Sequence, residues 1–402
     1  MEAKVMKFSV LLPTRNRLEY LKYAITSIVE QDYDDWEIII SDNCSEEKVE
    51  DYIRSLSESR IKYFRTQSFC PVTENWNNAL EKSTGDYVIM LGDDDCLLKG
   101  YFKTCAALLQ QHNLPDMIYN SAMNYVYPNV MLGAPQGYLM QFGYAPFLVK
   151  KQAPFILDKQ ETLQLVRETF NFNLIVNFNM QHSLVSRSLI NKMQNYGKFY
   201  QSPYPDYYAT TSLLIKAQRI LAVPYPMVVI GVTTKSFGYY FFNNKEKEGI
   251  EFLRNTPDAA IYSNVAKFVI PGTDMNISWL FSLETVRQNF HHEYKLKLNY
   301  KKFRFLQVLQ QYKKFACQEG LAWKDMLRLA KSLFWWEKIV YMIPFFVAVV
   351  IRLHPRKTFG KTWASKMAYK FSHPSHGTPR QLPGQYNNIL DVFHQNSIDL
   401  TQ

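Results

Sequence analysis

Asp93, Asp94 and Asp95 stand in a row at the end of the apolar run Asp86-Tyr-Val-Ile-Met-Leu-Gly92. Carboxylates this close repel one another, so the cluster persists where a divalent cation or a web of donors offsets the repulsion. Hard oxygen ligands of this kind suit Mg or Mn. The triplet taken alone leaves a second reading open, an acidic turn capping the helix expected from Lys99.

The elements that must position these carboxylates come from the first third of the chain. Phe8 to Leu12 is a short apolar run closed by Pro13, and Leu18, Leu21, Ile25, Ile28 and Val29 then recur at helical spacing. Asn16 with Glu19 resembles a helix-starting capping pair. Glu37 to Asp42 reads as a second strand, Ser45 to Leu56 as a polar helix, Ile61 to Arg65 as a third strand, Thr73 to Ser83 as a helix and Asp86 to Gly92 as a fourth strand. Such βα alternation predicts an α/β architecture with a parallel sheet covered by helices on both faces.

Ligands of such sheets sit beyond the carboxyl ends of the strands. Those ends carry Pro13-Thr14-Arg15-Asn16-Arg17, Asp42-Asn43-Cys44-Ser45 and Gly92-Asp93-Asp94-Asp95, which would gather at one edge. A strand-ending Asp or Asn can accept from a base or ribose hydroxyl, helix-start amides meet anionic oxygens, and an acidic cluster can hold a cation against a diphosphate. The three loops together describe a nucleotide diphosphate site. Neither GxGxxG nor GxxxxGK[ST] occurs at the first strand–helix turn, which weakens a dinucleotide or P-loop reading.

Residues 7 to about 105 resemble the N-terminal half of a family 2 glycosyltransferase. The resemblance rests on Val10-Leu-Leu-Pro-Thr-Arg-Asn-Arg17, Ile38-Ile-Ile-Ser-Asp-Asn-Cys-Ser45, Asn77-Asn-Ala-Leu80 followed by Gly85-Asp-Tyr, and Leu91-Gly-Asp-Asp-Asp95 at the place of the family's metal-binding Asp-x-Asp motif. It implies a GT-A fold, a Rossmann-like mixed sheet flanked by helices. It implies that Pro13, Thr14, Arg17, Asp42, Asn77, Asp93 and Asp94 contact a nucleotide-sugar, a UDP-sugar in this reading. It also implies Asp93 and Asp95 as ligands of Mn or Mg, with Asp95 the first choice. The chain departs from the pattern where Asn43-Cys44 replaces a common Asp-Gly, and in lacking an Asn-Gly pair before the Asn-rich helix.

A transferase of this kind needs a base for the acceptor hydroxyl. Asp206 follows Pro203 and Pro205 and opens an apolar helical run through Leu213, Leu214 and Ala217. The resemblance implies that it is the base of an inverting displacement; a plain helix N-cap is the other reading.

The net charge of +10 points to polyanions, but no nucleic-acid-binding motif accompanies it, and no nucleic-acid partner is expected. Six basic residues and no acidic one lie between Arg352 and Lys370, directly after the apolar stretch Ile339 to Ile351. Thirteen residues interrupted by Pro344 and preceded by Glu337 and Lys338 fall short of the roughly 20 that span a bilayer. Interfacial, buried and spanning placements of residues 334–352 remain open, the first with Trp335-Trp336 as a headgroup-level anchor.

Five scattered cysteines without CxxC spacing suggest neither a disulfide framework nor zinc, and the N-terminal residues lack the features of a secretory signal. A cytoplasmic protein at the inner face of the membrane is the expectation. His182, His291-His292 and His373/His376 lack zinc-like spacing and read as structural. The aromatics Phe237, Tyr239, Tyr240, Phe241 and Phe242 read as a core edge, with a sugar-stacking platform as the alternative. The expected organisation is a catalytic domain over 1–240 (nucleotide half 1–125, acceptor half 126–240), a helical, membrane-associating extension over 245–370, and a loose tail over 371–402. The function expected is metal-dependent transfer of a sugar to a glycan or lipid-linked acceptor in surface polysaccharide assembly. The alternatives are a nonenzymatic membrane-surface scaffold and a nucleotidyltransferase, the latter disfavoured by the absence of a Gly-rich phosphate loop at Pro13 to Arg17.

Overall fold

The computed structural model describes residues 5–131, 135–141, 145–149, 151–236, 239–240, 259–270, 274–317, 319–353 and 380–398. β1 (Phe8–Thr14), α1 (Leu18–Val29), β2 (Trp36–Asp42), α2 (Val49–Ser55), β3 (Ile61–Arg65), α3 (Val72–Glu81) and β4 (Tyr87–Met90) alternate as the apolar pattern predicts. β1 pairs in parallel with β2 and β4, and β2 with β3. Every residue of β2 is buried, which is why it reads as a continuous apolar run. Val10, Leu12, Ile38 and Ile40 pack on one face with α1, while Leu11, Ile39, Val88 and Met90 belong to the core on the other.

The chain continues through β5 (Cys96–Leu97), α4 (Tyr101–Gln111), β6 (Met117–Val126), β7 (Tyr138–Gln141), α5 (Pro146–Val149), β8 (Phe155–Leu157), α6 (Lys159–Phe170), β9 (Ser183–Ser186), α7 (Arg187–Met193), α8 (Pro205–Lys216) and β10 (Ile220–Val232). β9 runs antiparallel between β4 and β6. The sheet is therefore mixed rather than wholly parallel, and with helices on both faces it has the GT-A arrangement. β10 pairs in parallel with β6 but shifts register between Val223 and Val228. Pro224 and Pro226 cannot donate to the ladder, and the irregularity lets the second half of β10 also pair with β5.

After β10 come α9 (Ala259–Val265), α10 (Asp274–Phe290), α11 (Tyr300–Ala316), α12 (Trp323–Ser332), α13 (Trp335–Val340), α14 (Met342–Leu353), β11 (Arg380–Gln381), which returns to the sheet edge, and α15 (Ile389–Gln395). Leu280, Leu283 and Val286 of α10 join the core that holds Leu213 and Leu214 of α8. α11 to α14 form a smaller core of their own around Val308, Phe315, Leu329 and Tyr341. Pro344 sits in the first turn of α14, where a missing N–H costs nothing, and the helix breaks at Tyr341 instead. Among the described residues no helix is long and apolar enough to cross a membrane.

Several expectations need correction. Asn16 does not cap α1: it lies at φ 52, outside the helix, and Glu47 accepts the Leu18 N–H at 2.6 Å in its place. Residues 380–398 are not loose. β11 pairs with β7, and Ile389, Val392 and Phe393 of α15 are buried in a cluster with Leu98 and Val229. Phe237, Phe241, Phe242, His373 and His376 lie outside the described residues. Tyr239 is partly buried against the cluster that holds α15, as a core edge would be.

Candidate active site

The parallel strands β1, β2 and β4 end together, and the Leu91 N–H donates to the Leu11 carbonyl at 2.9 Å, setting Gly92–Asp95 beside Pro13–Arg17. These loops open onto a cavity of about 410 Å³. Pro13, Thr14, Arg17, Asp93, Asp94, Asp95 and Asp206 all line it. One recess thus joins the acidic triplet to the carboxylate expected as base.

The three aspartates have different roles. Asp93 accepts from the Thr14 hydroxyl at 2.7 Å and from the Arg17 guanidinium at 2.9 Å. Asp94 lies 3.5 Å from the same guanidinium and accepts from Thr233 and Ser236. Burial works against the charge of Arg17, but Asp93 and Asp94 more than offset that and hold it firmly cationic. Asp95 turns inward: Oδ1 takes the Gly231 N–H at 2.8 Å, and Oδ2 takes the Gly92 N–H at 2.8 Å together with the Gln181 amide. Burial, with the charge of Asp94 added, raises the Asp95 carboxyl above the usual range despite these donors.

Gly231 makes that inward turn possible. A Cβ there would lie 1.8 Å from the Asp94 carbonyl oxygen, so only glycine lets β10 approach closely enough to donate to Asp95.

Asp95, which the resemblance implies as a metal ligand, lines the cavity and also anchors the loop through its donors. Asp93, Asp94 and Asp95 all line the cavity, with the Arg17 guanidinium against the first two. Among the described residues no group of three His, Cys, Asp or Glu could hold a metal ion. Two carboxylates nevertheless fit Mg or Mn bound jointly by protein and diphosphate oxygens, the usual arrangement for Mg.

Asp42 is fully buried, with Oδ1 on the Ser45 N–H at 2.9 Å and Oδ2 on the Tyr63 hydroxyl at 2.6 Å and Arg65 at 3.3 Å. It shapes the Asn43–Ser45 loop rather than facing the cavity. Cys44, where Asp-Gly is common in the resembling motif, sits at φ 55, the region that suits glycine. Asn77 also points away, clamping the Tyr200 backbone through its N–H and carbonyl at 3.1 and 2.9 Å. The face of α3 that lines the cavity is Val72, Asn75 and Trp76, at the i, i+3, i+4 spacing of one helical face.

Asp206 is the second residue of α8, after Tyr204 at the N-cap position and Pro205, so the capping reading fails. Its Oδ1 accepts the Tyr207 N–H at 2.9 Å. Burial pushes its carboxyl up to about 7.

His182, read from sequence as structural, also lines the cavity. Its Nδ1 lies 2.7 Å from the Asn120 carbonyl and therefore carries the proton, and burial lowers the imidazole to about 4, keeping it neutral. Asn124, Asn177 and Asn179 add amides to the wall. The alternation Asn177, Asn179, Gln181 was the available signal for this polar wall.

Residues 9–157 match the family model described as glycosyl transferase family 2. A Campylobacter jejuni protein, GalNAc(5)-diNAcBac-PP-undecaprenol beta-1,3-glucosyltransferase, is 41% identical over 110 residues, which cover 27% of this chain and 35% of that protein. An Escherichia coli protein, UDP-Glc:alpha-D-GlcNAc-diphosphoundecaprenol beta-1,3-glucosyltransferase WfgD, is 23% identical over 112 residues, covering 28% and 44% of the two chains. The chain thus spans less than half the length of these curated relatives. The crystal structure of S. aureus TarS 1-349 in complex with UDP-GlcNAc superposes with a TM-score of 0.44 at 16% identity, over 90% of this chain and 92% of that one. The matched motifs include loops that line the cavity, and over residues 9–157 the chain is similar to glycosyl transferase family 2.

Proposed function

We propose that this chain transfers a sugar from a nucleoside diphosphate donor, a UDP-sugar, to the hydroxyl of a lipid-linked glycan, with inversion at the anomeric carbon. The observation that carries this reading is the shared cavity: Asp93, Asp94 and Arg17 stand on one wall and the unusually basic Asp206 on another. The names of the two relatives support the substrate classes, since one acts on a UDP-sugar and both on diphosphoundecaprenol-linked acceptors.

Arg17 binds the diphosphate region, and Asp93 and Asp94 are the residues that would hold Mn or Mg beside it. The cation when bound neutralises charge on the departing diphosphate. Asp206 takes the proton from the acceptor hydroxyl as that oxygen attacks, and a carboxyl tuned near neutrality suits this task. Asn124, Asn177 and Asn179 supply amide donors and acceptors for sugar hydroxyls. Pro13 and Thr14 shape the edge on which the nucleoside lies. The setting we propose is the cytoplasmic face of the membrane, in polysaccharide assembly, because a diphosphate-lipid acceptor is held by a bilayer.

The test is release of nucleoside diphosphate from a panel of nucleotide sugars, with a diphosphate-lipid disaccharide as acceptor, in Mn and in EDTA. Release from one donor that needs both acceptor and cation is expected. A protein that neither turns over nor binds any nucleoside diphosphate in Mn would return the scaffold reading.

A further inference from the structure

Only one side of the apolar stretch after residue 334 packs into the small core. Trp335, Ile339, Ile343, Phe346, Val350 and Leu353 are exposed, Trp335 by 76% and Ile343 by 71%. Ile343, Phe346, Val350 and Leu353 recur every three or four residues along α14 and form one stripe on that helix, with Trp335 and Ile339 exposed on α13 before it. Stripes of large apolar side chains left in water mark an interaction surface.

The charges around the stripe select its partner. Among the exposed residues from Trp323 to Leu353 every charged one is basic: Lys324, Arg328, Lys331 and Lys338. Both acids in that span are engaged, and the partly buried Asp325 also lies 3.6 Å from Arg328. Glu337 is fully buried against Arg304, and Asp325 is occupied in capping α12, accepting the Ala322 N–H at 2.9 Å. Beyond Leu353 the sequence adds Arg356, Lys357, Lys361, Lys366 and Lys370 and no acid before residue 371. An apolar stripe beside a one-sign basic rim, with Trp at its start, matches an anionic bilayer surface. A second copy of the chain fits poorly, since two such faces would set like charges against each other and protein interfaces are depleted in Lys.

We infer that α12 to α14 form a docking surface for anionic membrane, with the stripe seated among acyl chains and the basic rim on lipid phosphates. The chain lies on the bilayer here; the stripe occupies one side of a twelve-residue helix whose Ala348 is packed in the small core. This surface is separate from the cavity and stands whether or not the transfer reaction is assigned correctly.

The experiment is co-sedimentation of the full chain with vesicles of phosphatidylcholine alone and of equimolar phosphatidylcholine and phosphatidylglycerol. Binding is expected on the anionic vesicles, weakening as salt screens the charge. Ile343→Glu with Phe346→Glu should lower partition at least about tenfold, because two anchoring side chains become anions at the bilayer surface. Arg328→Ser and Lys331→Ser should each lower it about fivefold while leaving the apolar stripe intact. All these positions are exposed, and an unchanged circular dichroism spectrum confirms folding. Wild-type protein that ignores anionic vesicles, or a double Glu variant that binds them as well as wild type, overturns the inference. So does a dimer in light scattering that the double Glu variant dissolves without any change in vesicle binding.

Discussion

Arg304 grips Glu337 through Nε to Oε1 and Nη2 to Oε2, both at 2.6 Å, and both residues are almost wholly excluded from solvent. Arg304 also donates to the carbonyls of Phe268 and Ser332, and Glu337 accepts the Phe334 N–H. One ion pair therefore ties α11 to the start of α13 and to the turn that follows α9, at Phe268. It fixes which side of α13 faces inward, and so which side presents Trp335 and Ile339.

Removing one partner leaves the other buried and unpaired, a loss of roughly 3–5 kcal/mol. Glu337→Ala should thus lower the melting temperature by many degrees. The double change Arg304→Met with Glu337→Leu should recover much of it. A Glu337→Ala protein that melts with wild type would show the pair to be dispensable.

Gly231→Ala is expected to damage the site more than the fold. The new Cβ would meet the backbone carbonyl of Asp94, which has no flexible side chain to yield, so the Gly92–Asp95 loop must shift. A misplacement of about 1 Å in reacting groups costs on the order of a hundredfold in rate. Turnover of nucleoside diphosphate release is the measurement; a rate within a few-fold of wild type would mean that the loop position is not critical.

The parts of this structure legible in the sequence are those with local causes. β1, β2 and β4 are buried parallel strands, and their apolar runs announce them. What stayed hidden depends on partners far along the chain. The donors that turn Asp95 inward come from Gln181 and Gly231, and the carbonyl that fixes the tautomer of His182 comes from Asn120. Asn75 and Asn77 differ only in helical phase, and nothing local says which face meets the cavity. Glu337 read as a charge that ends an apolar stretch because Arg304, its partner, lies a whole helix away. Ile389, Val392 and Phe393 sit among polar residues, and their apolar spacing is too short to announce a helix that packs on the sheet.

The division of labour in the acidic triplet separates two variants that sequence alone treats as equivalent. Asp95→Ala leaves the Gly231 and Gly92 N–H groups without their acceptor, each costing about 1–3 kcal/mol, so it should lower thermal stability markedly. Asp94→Ala loses a carboxylate that lines the cavity, and because Thr233 and Ser236 still bond each other it should cost less stability than Asp95→Ala while losing Mn-dependent binding of nucleoside diphosphate. Calorimetric titration with and without Mn, beside melting curves, checks both. The assignment fails if Asp95→Ala melts normally and is the variant that loses the dependence on Mn.

As the base of the proposed transfer, Asp206 would make the pH dependence of turnover predictable in sign. A base works as its carboxylate, and burial raises this carboxyl from 3.8 to about 7. Turnover should therefore rise with pH through the region of pH 7 and level off above it. The effect on folding runs the other way. Between about pH 4 and pH 7 the folded protein holds a proton that the unfolded chain has released, so this group's contribution to stability is complete below that window and is lost as pH rises through it. Asp206→Asn should abolish the rising limb, lower turnover by about 10²–10⁴-fold and keep donor binding, while removing that pH-dependent share of stability. Rates of nucleoside diphosphate release from pH 5 to pH 9, with melting curves over the same range, read both effects. A rising limb that survives unmoved in Asp206→Asn would assign the proton transfer to another group on the cavity wall.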